Sequence, residues 1–252
     1  MALALVQQGD SGNVAIGLGS ASQVLPVNAT AGNAVCVAVV DNSGSISAGM
    51  TLTSSMGTFT RVNAVEHLSG FPLSWWVCLS VTAGHTVTFN DGGGSLYIAY
   101  GYEYSGGFGP TASSGGNFTG TTTSLSLTIA CAIGDAVLAL AVARPAPGTF
   151  TTVPLSPWVN STQYQLINAN LCEQATEQIA GSTSETASWI APTNCNTAVC
   201  GLVLTPGTPP YAPLGRSRGM PQAVNRGANF MRRANGLLTP REGLVLPRLA
   251  LR

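Results

Sequence analysis

The chain contains no lysine, and charged residues of any kind are scarce. Of its 252 residues only 8% are charged, and all ten basic residues are arginine, whereas roughly a quarter of the residues in a typical soluble domain are charged. Disordered chains combine low hydrophobicity with high net charge, but this chain is 45% hydrophobic with a net charge of zero. The composition excludes a chain that is disordered throughout. It is typical of an all-β protein whose outward faces carry Ser and Thr.

Signatures of enzymes, metal sites and membrane spans are also missing. No GxSxG, HExxH, P-loop or CxxC pattern occurs, and the only histidines are His67 and His85. Glu66, Asp91 and Glu103 could form an acid–base pair, but they are equally explained as turn or strand-edge acids. No apolar run approaches the roughly 20 residues of a membrane span, and the first residues make a poor signal peptide. We expect a non-enzymatic protein with no cofactor and no membrane partner.

The cysteines do not form an evident disulfide framework. Cys36, Cys78 and Cys131 lie inside apolar runs, where a free cysteine behaves as a small hydrophobic residue. Cys195 and Cys200 on one strand would lie about 17 Å apart on opposite faces, which is too far for a bridge. We therefore predict buried thiols.

The aromatic residues leave a second class of function open. Trp75, Trp76, Trp158 and Trp189 could stack on sugar rings, as in a glycan-binding module. However, adjacent residues of a strand point to opposite faces, so at least one of Trp75 and Trp76 should lie in the core. We favour core packing and keep glycan binding as the alternative.

What the sequence does contain is an alternation of apolar and polar residues with period two before residue 206. In the segment 96–105 this alternation places Ile98, Tyr100, Tyr102 and Tyr104 on one face and Glu103 on the other. The segment 170–181 also fits a helix ending at glycine, but its neighbours favour a strand. Strands are predicted at 34–40, 58–65, 74–81, 86–90, 96–105, 124–130, 136–142, 163–169, 172–180, 186–191 and 198–204.

Two parts of the chain form a faint internal repeat. Residues 22–40 and 124–142 each comprise a strand, a turn with glycine and a polar residue, and an apolar strand. Gly-Thr-Phe-Thr then follows at 57–60 and at 148–151. Generic alternation could also produce this similarity. We interpret the repeat as two halves of one β-sandwich over residues 1–205, with sheets that mix strands from both halves.

The pattern GNAVCVAVV, SWWVCLSV, YGYEYSG and IGDAVLALAV resembles the jelly-roll-like β-sandwich domains of bacteriophage virion proteins. The resemblance covers about residues 13–205 and includes no catalytic motif. It implies an all-β fold and a structural role in a virion, either decorating or bracing the capsid or attached to the tail. A receptor- or glycan-binding tail or fibre module is the alternative. Virion symmetry would make the protein a homo-oligomer, and a trimer is one arrangement that fits.

The basic residues are concentrated at the end of the chain. Residues 1–210 hold two arginines and nine acids, a net charge of −7, whereas residues 211–252 hold eight arginines and one acid, a net charge of +7. Four prolines within 205–215 extend the chain and interrupt strand pairing. Such asymmetry is typical of an interaction tail, although a solvated, disordered basic end has the same composition.

We predict that residues 206–252 form an extended Pro/Arg-rich arm that docks on another subunit, with a short helix at 221–235. Its partners would be capsid or tail subunits or copies of the chain itself. Arginine forms bidentate pairs with carboxylates, and the arm has few aromatics, so a protein is favoured over nucleic acid. The predicted partner-binding residues are Arg216, Arg218, Arg226, Phe230, Arg232, Arg233, Leu237, Leu238, Arg241, Leu244, Leu246, Arg248, Leu249 and Arg252.

Overall fold

The structure is a computed structural model that describes most of the chain before the predicted arm. The described ranges are 2–12, 21–41, 49–67, 71–90, 97–106, 112–114, 121–166 and 171–207. In these ranges the protein is an antiparallel β-sandwich without helices. The predicted arm, with its helix at 221–235 and all of its partner-binding residues, lies outside them.

The first half of the chain supplies two sheets. The larger sheet has the order β1-β8-β3-β6-β5 and the smaller one has the order β2-β7-β4. The strands are β1 (Ala4–Asp10), β2 (Ala21–Gln23), β3 (Ala34–Asp41), β4 (Thr51–Thr53), β5 (Thr60–His67), β6 (Phe71–Cys78), β7 (Thr86–Asn90) and β8 (Tyr97–Ser105).

The second half supplies one sheet, with the order β10-β15-β11-β14-β12. The short strand β13 also pairs with β14, and β9 pairs with β15. The strands are β9 (Ala112–Ser114), β10 (Thr121–Ala130), β11 (Ala136–Arg144), β12 (Val159–Asn160), β13 (Tyr164–Leu166), β14 (Leu171–Ile179) and β15 (Ser184–Leu204).

The strand order of the first half is that of a jelly roll. In a jelly roll, strands 1, 8, 3 and 6 form one sheet and strands 2, 7, 4 and 5 form the other. The order β1-β8-β3-β6 and the order β2-β7-β4 follow this rule, except that β5 joins β6 instead of β4. The jelly-roll-like topology predicted from the sequence is therefore confirmed.

The second half repeats the same pairing. Its sheet β9-β15-β11-β14 corresponds to β1-β8-β3-β6, and its pair β10-β15 corresponds to β2-β7. The 21-residue strand β15 corresponds to both β7 and β8 of the first half, because its first portion pairs with β10 and its last portion with β11. The sequence had predicted two strands there, at 186–191 and 198–204. The strand pairing of the second half thus parallels that of the first, and we refer to the two halves as the first and the second roll.

Local details of the repeat also agree. Gly32 and Gly134 precede the two central strands with φ angles of 89° and 92°, a region that glycine adopts without strain. The amide of each donates to a backbone carbonyl that follows the strand paired with the central strand, Val81 after β6 for Gly32 and Ala180 after β14 for Gly134, both at 2.9 Å. The phenylalanines of the two Gly-Thr-Phe-Thr segments are both buried.

One part of the prediction was wrong. Within the described ranges, no sheet mixes strands from the two halves. The halves instead share a core. Trp75, Tyr100 and Tyr102 of the first roll pack with Leu138, Leu140 and other apolar residues of the second roll, and almost all of them are fully buried.

Each roll also has a core of its own. The core of the first half contains Trp76 and Phe59. The core of the second half contains Trp158 and Trp189. Trp75 and Trp76 thus face different cores, as the alternation predicted. All six cysteines are free thiols, and only Cys131 is less than fully buried.

Candidate functional site

The predicted arm cannot be placed against the body, since its residues lie outside the described ranges. The acidic residues of the body, which were expected to attract the arm, are mostly described. Seven of the nine acids in residues 1–210 have described side chains, and five of them are buried. Only Asp10 and Glu185 are partly exposed. The formal charge of −7 therefore overstates the negative charge that the described surface presents to an arginine-rich partner.

Glu103 lies buried on β8 and is held by donors from three segments. Its carboxylate accepts hydrogen bonds from the side chains of Gln7 and Asn33, both at 2.5 Å, and from the backbone amide of Thr30 at 2.8 Å. Such an arrangement satisfies the hydrogen-bonding capacity of a buried carboxyl group. Glu103 ties β1 and the turn before β3 to β8, and a structural role accounts for all of its contacts.

The other buried acids of interest lie between the two jelly rolls. On β8, Tyr100, Tyr102 and Tyr104 share one face, as predicted, and all three are fully buried in the shared core. Glu173 and Glu177 of β14 approach this face from the second roll. We call these five residues the inter-roll cluster.

Two hydrogen bonds connect the rolls within this cluster. The hydroxyl of Tyr100 donates to Oε1 of Glu173 at 3.2 Å, and the hydroxyl of Tyr104 donates to Oε2 of Glu177 at 2.8 Å. Both glutamates are buried, with 0% and 3% of their surfaces exposed. Oε2 of Glu173 has no hydrogen-bond partner among the described residues.

Residues of the edge strands continue the cluster toward the rim. The hydroxyl of Tyr164 on β13 donates to Oδ1 of Asp10 on β1. The ring of Tyr164 also lies 6.1 Å from that of Tyr100. Since β1 belongs to the first roll and β13 to the second, this is a third polar contact between them.

Burial dominates the protonation of the cluster. It raises the pKa of the Glu173 carboxyl well above its usual range, while the hydrogen bond from Tyr100 lowers it. It likewise raises the pKa of Glu177 against the opposing effect of Tyr104. Burial, reinforced by Glu173 and Glu177 respectively, also raises the pKa values of Tyr100 and Tyr104. Burial together with Asp10 raises the pKa of Tyr164 to about 12.

No cation in the described part of the chain contributes to these pKa shifts. Burial and a tyrosine hydroxyl are the influences on each glutamate. The guanidinium of Arg61 lies instead over the ring of Trp76, 5.8 Å from its centroid, next to the other core of the first roll. The cluster thus consists of acids and phenols, which can exchange protons but do not neutralise a negative charge.

The remaining sequence candidates are not brought together. Nδ1 of His85 lies 2.6 Å from Oδ1 of Asn28, Asp91 lies outside the described ranges, and of Glu66 and His67 only the backbone is described. Within the described ranges, no three metal-binding side chains converge and no helix could span a membrane.

Sequence reasoning did not identify Glu173 and Glu177 as site residues. On β14 they occupy the same face as Leu171 and Ala175, which is a signal that this face is buried. No protein-family model, curated protein or solved structure shows a significant match to the chain.

Proposed function

We propose that the protein is a non-enzymatic structural component of a bacteriophage virion, which decorates or braces the capsid or is attached to the tail. The observation that supports this proposal is the tandem arrangement of two jelly rolls around a shared core. Jelly rolls recur in viral capsid proteins, and also in lectins and cupins. The support is thus an analogy of fold.

The arm gives the proposal its means of attachment. Residues after the last strand, which ends at Leu204, carry eight arginines and many leucines. Apolar side chains of this size gain about 2 kcal/mol each on burial, but ordering an extended chain costs about 1–2 kcal/mol per residue. The arm therefore needs a partner surface. Capsid or tail subunits and further copies of the chain are the partners we propose.

The lectin-like alternative gains less support. All four tryptophans are buried, so their ring faces are occupied by core packing. A sugar-binding site would need other aromatic residues or a set of polar groups.

The test is to locate the protein in particles. Antibodies against the body should label virions purified from the culture that carries this sequence, and mass spectrometry should find the chain at a fixed ratio to the major capsid protein. A chain that is absent from purified particles would refute the proposal. Selective binding of the body to a glycan array, together with label confined to tail fibres, would favour the alternative.

A further inference from the structure

Two carboxyl groups lie in the core that joins the two jelly rolls. Glu173 and Glu177 are buried there among Leu171, Ala175 and the tyrosines of β8. An ionised carboxylate in such surroundings loses its hydration, and only a cation or several hydrogen-bond donors can compensate for that loss.

The donors at these two glutamates are few. Each accepts one hydrogen bond from a tyrosine, and Oε2 of Glu173 has no partner among the described residues. Glu103 provides the contrast within the same protein, because three donors hold it on the other face of β8. The carboxyl group of Glu103 on β8 thus has three donors, whereas Glu173 and Glu177, which face the other side of β8, have one donor each.

The other titratable groups around the cluster do not help an ionised glutamate. They are Tyr100, Tyr102 and Tyr104 of β8, Cys36 of β3, Asp10 of β1 and Tyr164 of β13. Phenols, thiols and a further carboxyl group supply no positive charge. Among the described residues, burial and one tyrosine hydroxyl act on each glutamate, and no cation does.

We propose that Glu173 and Glu177 are neutral carboxylic acids in the folded protein, so that acid strengthens the contact between the two jelly rolls and alkali weakens it. The neutral form keeps the hydrogen bonds from the tyrosines and avoids two like charges between the layers. The proton of Glu173 would reside on Oε2. The pair makes the joint between the rolls sensitive to pH.

The sign of the effect follows from linkage. Burial raises the folded-state pKa of both carboxyls above the usual value of 4.5. Their contribution to stability is therefore complete below that value, and it is lost as the pH rises through the folded-state pKa. Glu185 acts in the opposite direction: burial raises its pKa, but hydrogen bonds from Ser182 and Gly181 outweigh that effect, so the pKa of this carboxyl is lowered. The effect of Glu173 and Glu177 must therefore be separated from that of the other carboxyls by comparing the wild type with a variant that lacks both.

The experiment compares the full-length wild type with the variant Glu173→Gln/Glu177→Gln, which mimics the neutral acids at every pH. Urea unfolding is measured at pH 5.5 and pH 8.5. We expect the wild-type midpoint to fall relative to that of the variant on going to pH 8.5, where the variant should be the more resistant protein. Glu185→Gln is the matched control, and it should not raise the midpoint at pH 8.5. A double variant that is less stable than the wild type at both pH values by the same amount would overturn the proposal.

A second measurement keeps the test decisive if the variant does not fold. The infrared spectrum of the wild type, with isotope-labelled glutamate, should show the C=O stretch of a protonated glutamic acid at pH 7. The band should shift with the label and disappear at high pH. A wild-type spectrum with only carboxylate bands from glutamate at pH 7 would overturn the proposal.

Discussion

The indole Nε1 of Trp75 donates a hydrogen bond of 3.1 Å to the backbone carbonyl of Cys200, across the boundary between the two jelly rolls. Both residues lie in the shared core. Close by, the side-chain amide of Asn63 donates to the carbonyl of Gly201 at 2.9 Å. On this side of the joint, side chains of the first roll thus bind the backbone of the last strand of the second.

Replacing Trp75 with phenylalanine tests how much this bond stabilises the joint. The variant keeps an aromatic ring but loses the donor and some volume, so we expect the free energy of unfolding to fall by about 2–3 kcal/mol. Urea denaturation followed by circular dichroism would measure it. Asn63→Ala, at a half-buried position, should cost less, about 1 kcal/mol. A Trp75→Phe variant as stable as the wild type would contradict the role of the hydrogen bond.

Glu103→Gln should destabilise the protein at neutral pH. The amide cannot accept the hydrogen bonds of all three donors that surround the carboxylate, and a bond to a charged group contributes about 1.5–3 kcal/mol. We expect a loss of about 2 kcal/mol in chemical denaturation at pH 7. The change is the same in chemistry as Glu173→Gln but opposite in its expected effect at high pH. If Glu103→Gln and Glu173→Gln changed the stability at high pH in the same way, the number of donors around each carboxyl would not explain their behaviour.

Gly134→Ala should cost about 1–2 kcal/mol, because its φ of 92° is unfavourable for residues with a Cβ. No atom lies within 4 Å of the position of the new Cβ, so sterics with neighbours do not contribute. Gly148→Ala is the matched control, since its Cβ also meets nothing within 4 Å and its backbone is not in this region. Gly32→Ala should resemble Gly134→Ala if the two turns are equivalent. Thermal unfolding of the three variants would show whether backbone strain alone separates them.

Thiol labelling should distinguish one cysteine from the other five. Cys131 is partly exposed and the others are buried, so a thiol reagent should modify one group rapidly in the native protein and six after unfolding. Burial, with Glu185 and Asp135, raises the pKa of Cys131, so its reaction should accelerate as the pH rises into the alkaline range. Cys131→Ser should remove the rapid phase. Rapid modification of several thiols would mean that the cores open readily.

Truncation after Pro210 should separate folding from assembly. The last described strand ends at Leu204, so we expect the shortened protein to keep its melting temperature within a few degrees. It should nevertheless fail to enter particles or to self-associate, as measured by sedimentation and by incorporation into virions. A full-length variant with Arg232 and Arg233 changed to lysine keeps the charge and controls for charge alone. Unfolding of the truncated body would show that the arm belongs to its core.

The strands and the burial of most side chains could be predicted from the sequence, because the alternation of apolar residues reflects which face is covered. The stripe Tyr100, Tyr102 and Tyr104 and the opposite orientations of Trp75 and Trp76 follow from that rule alone. The turns with Gly32 and Gly134 were recognisable because few residues other than glycine adopt a positive φ.

The arrangement of the sheets could not be predicted in the same way. Alternation states that a face is buried, but not which other face covers it, so the shared core between complete rolls was missed. Glu173 and Glu177 were missed for a related reason. A polar residue on a strand is normally assigned to solvent, and only the approach of the tyrosines from the other roll makes its burial tolerable.

The strand β15 pairs with three other strands of its sheet and is the last described strand before the arm. A mechanical pull on the chain beyond Leu204 would act first on this strand, which is paired over nine residues with β11 and over three with β9. If the force were directed along the strand, these ladder hydrogen bonds would carry it together instead of opening one after another. A load applied through this end would then be distributed over the sheet of the second roll.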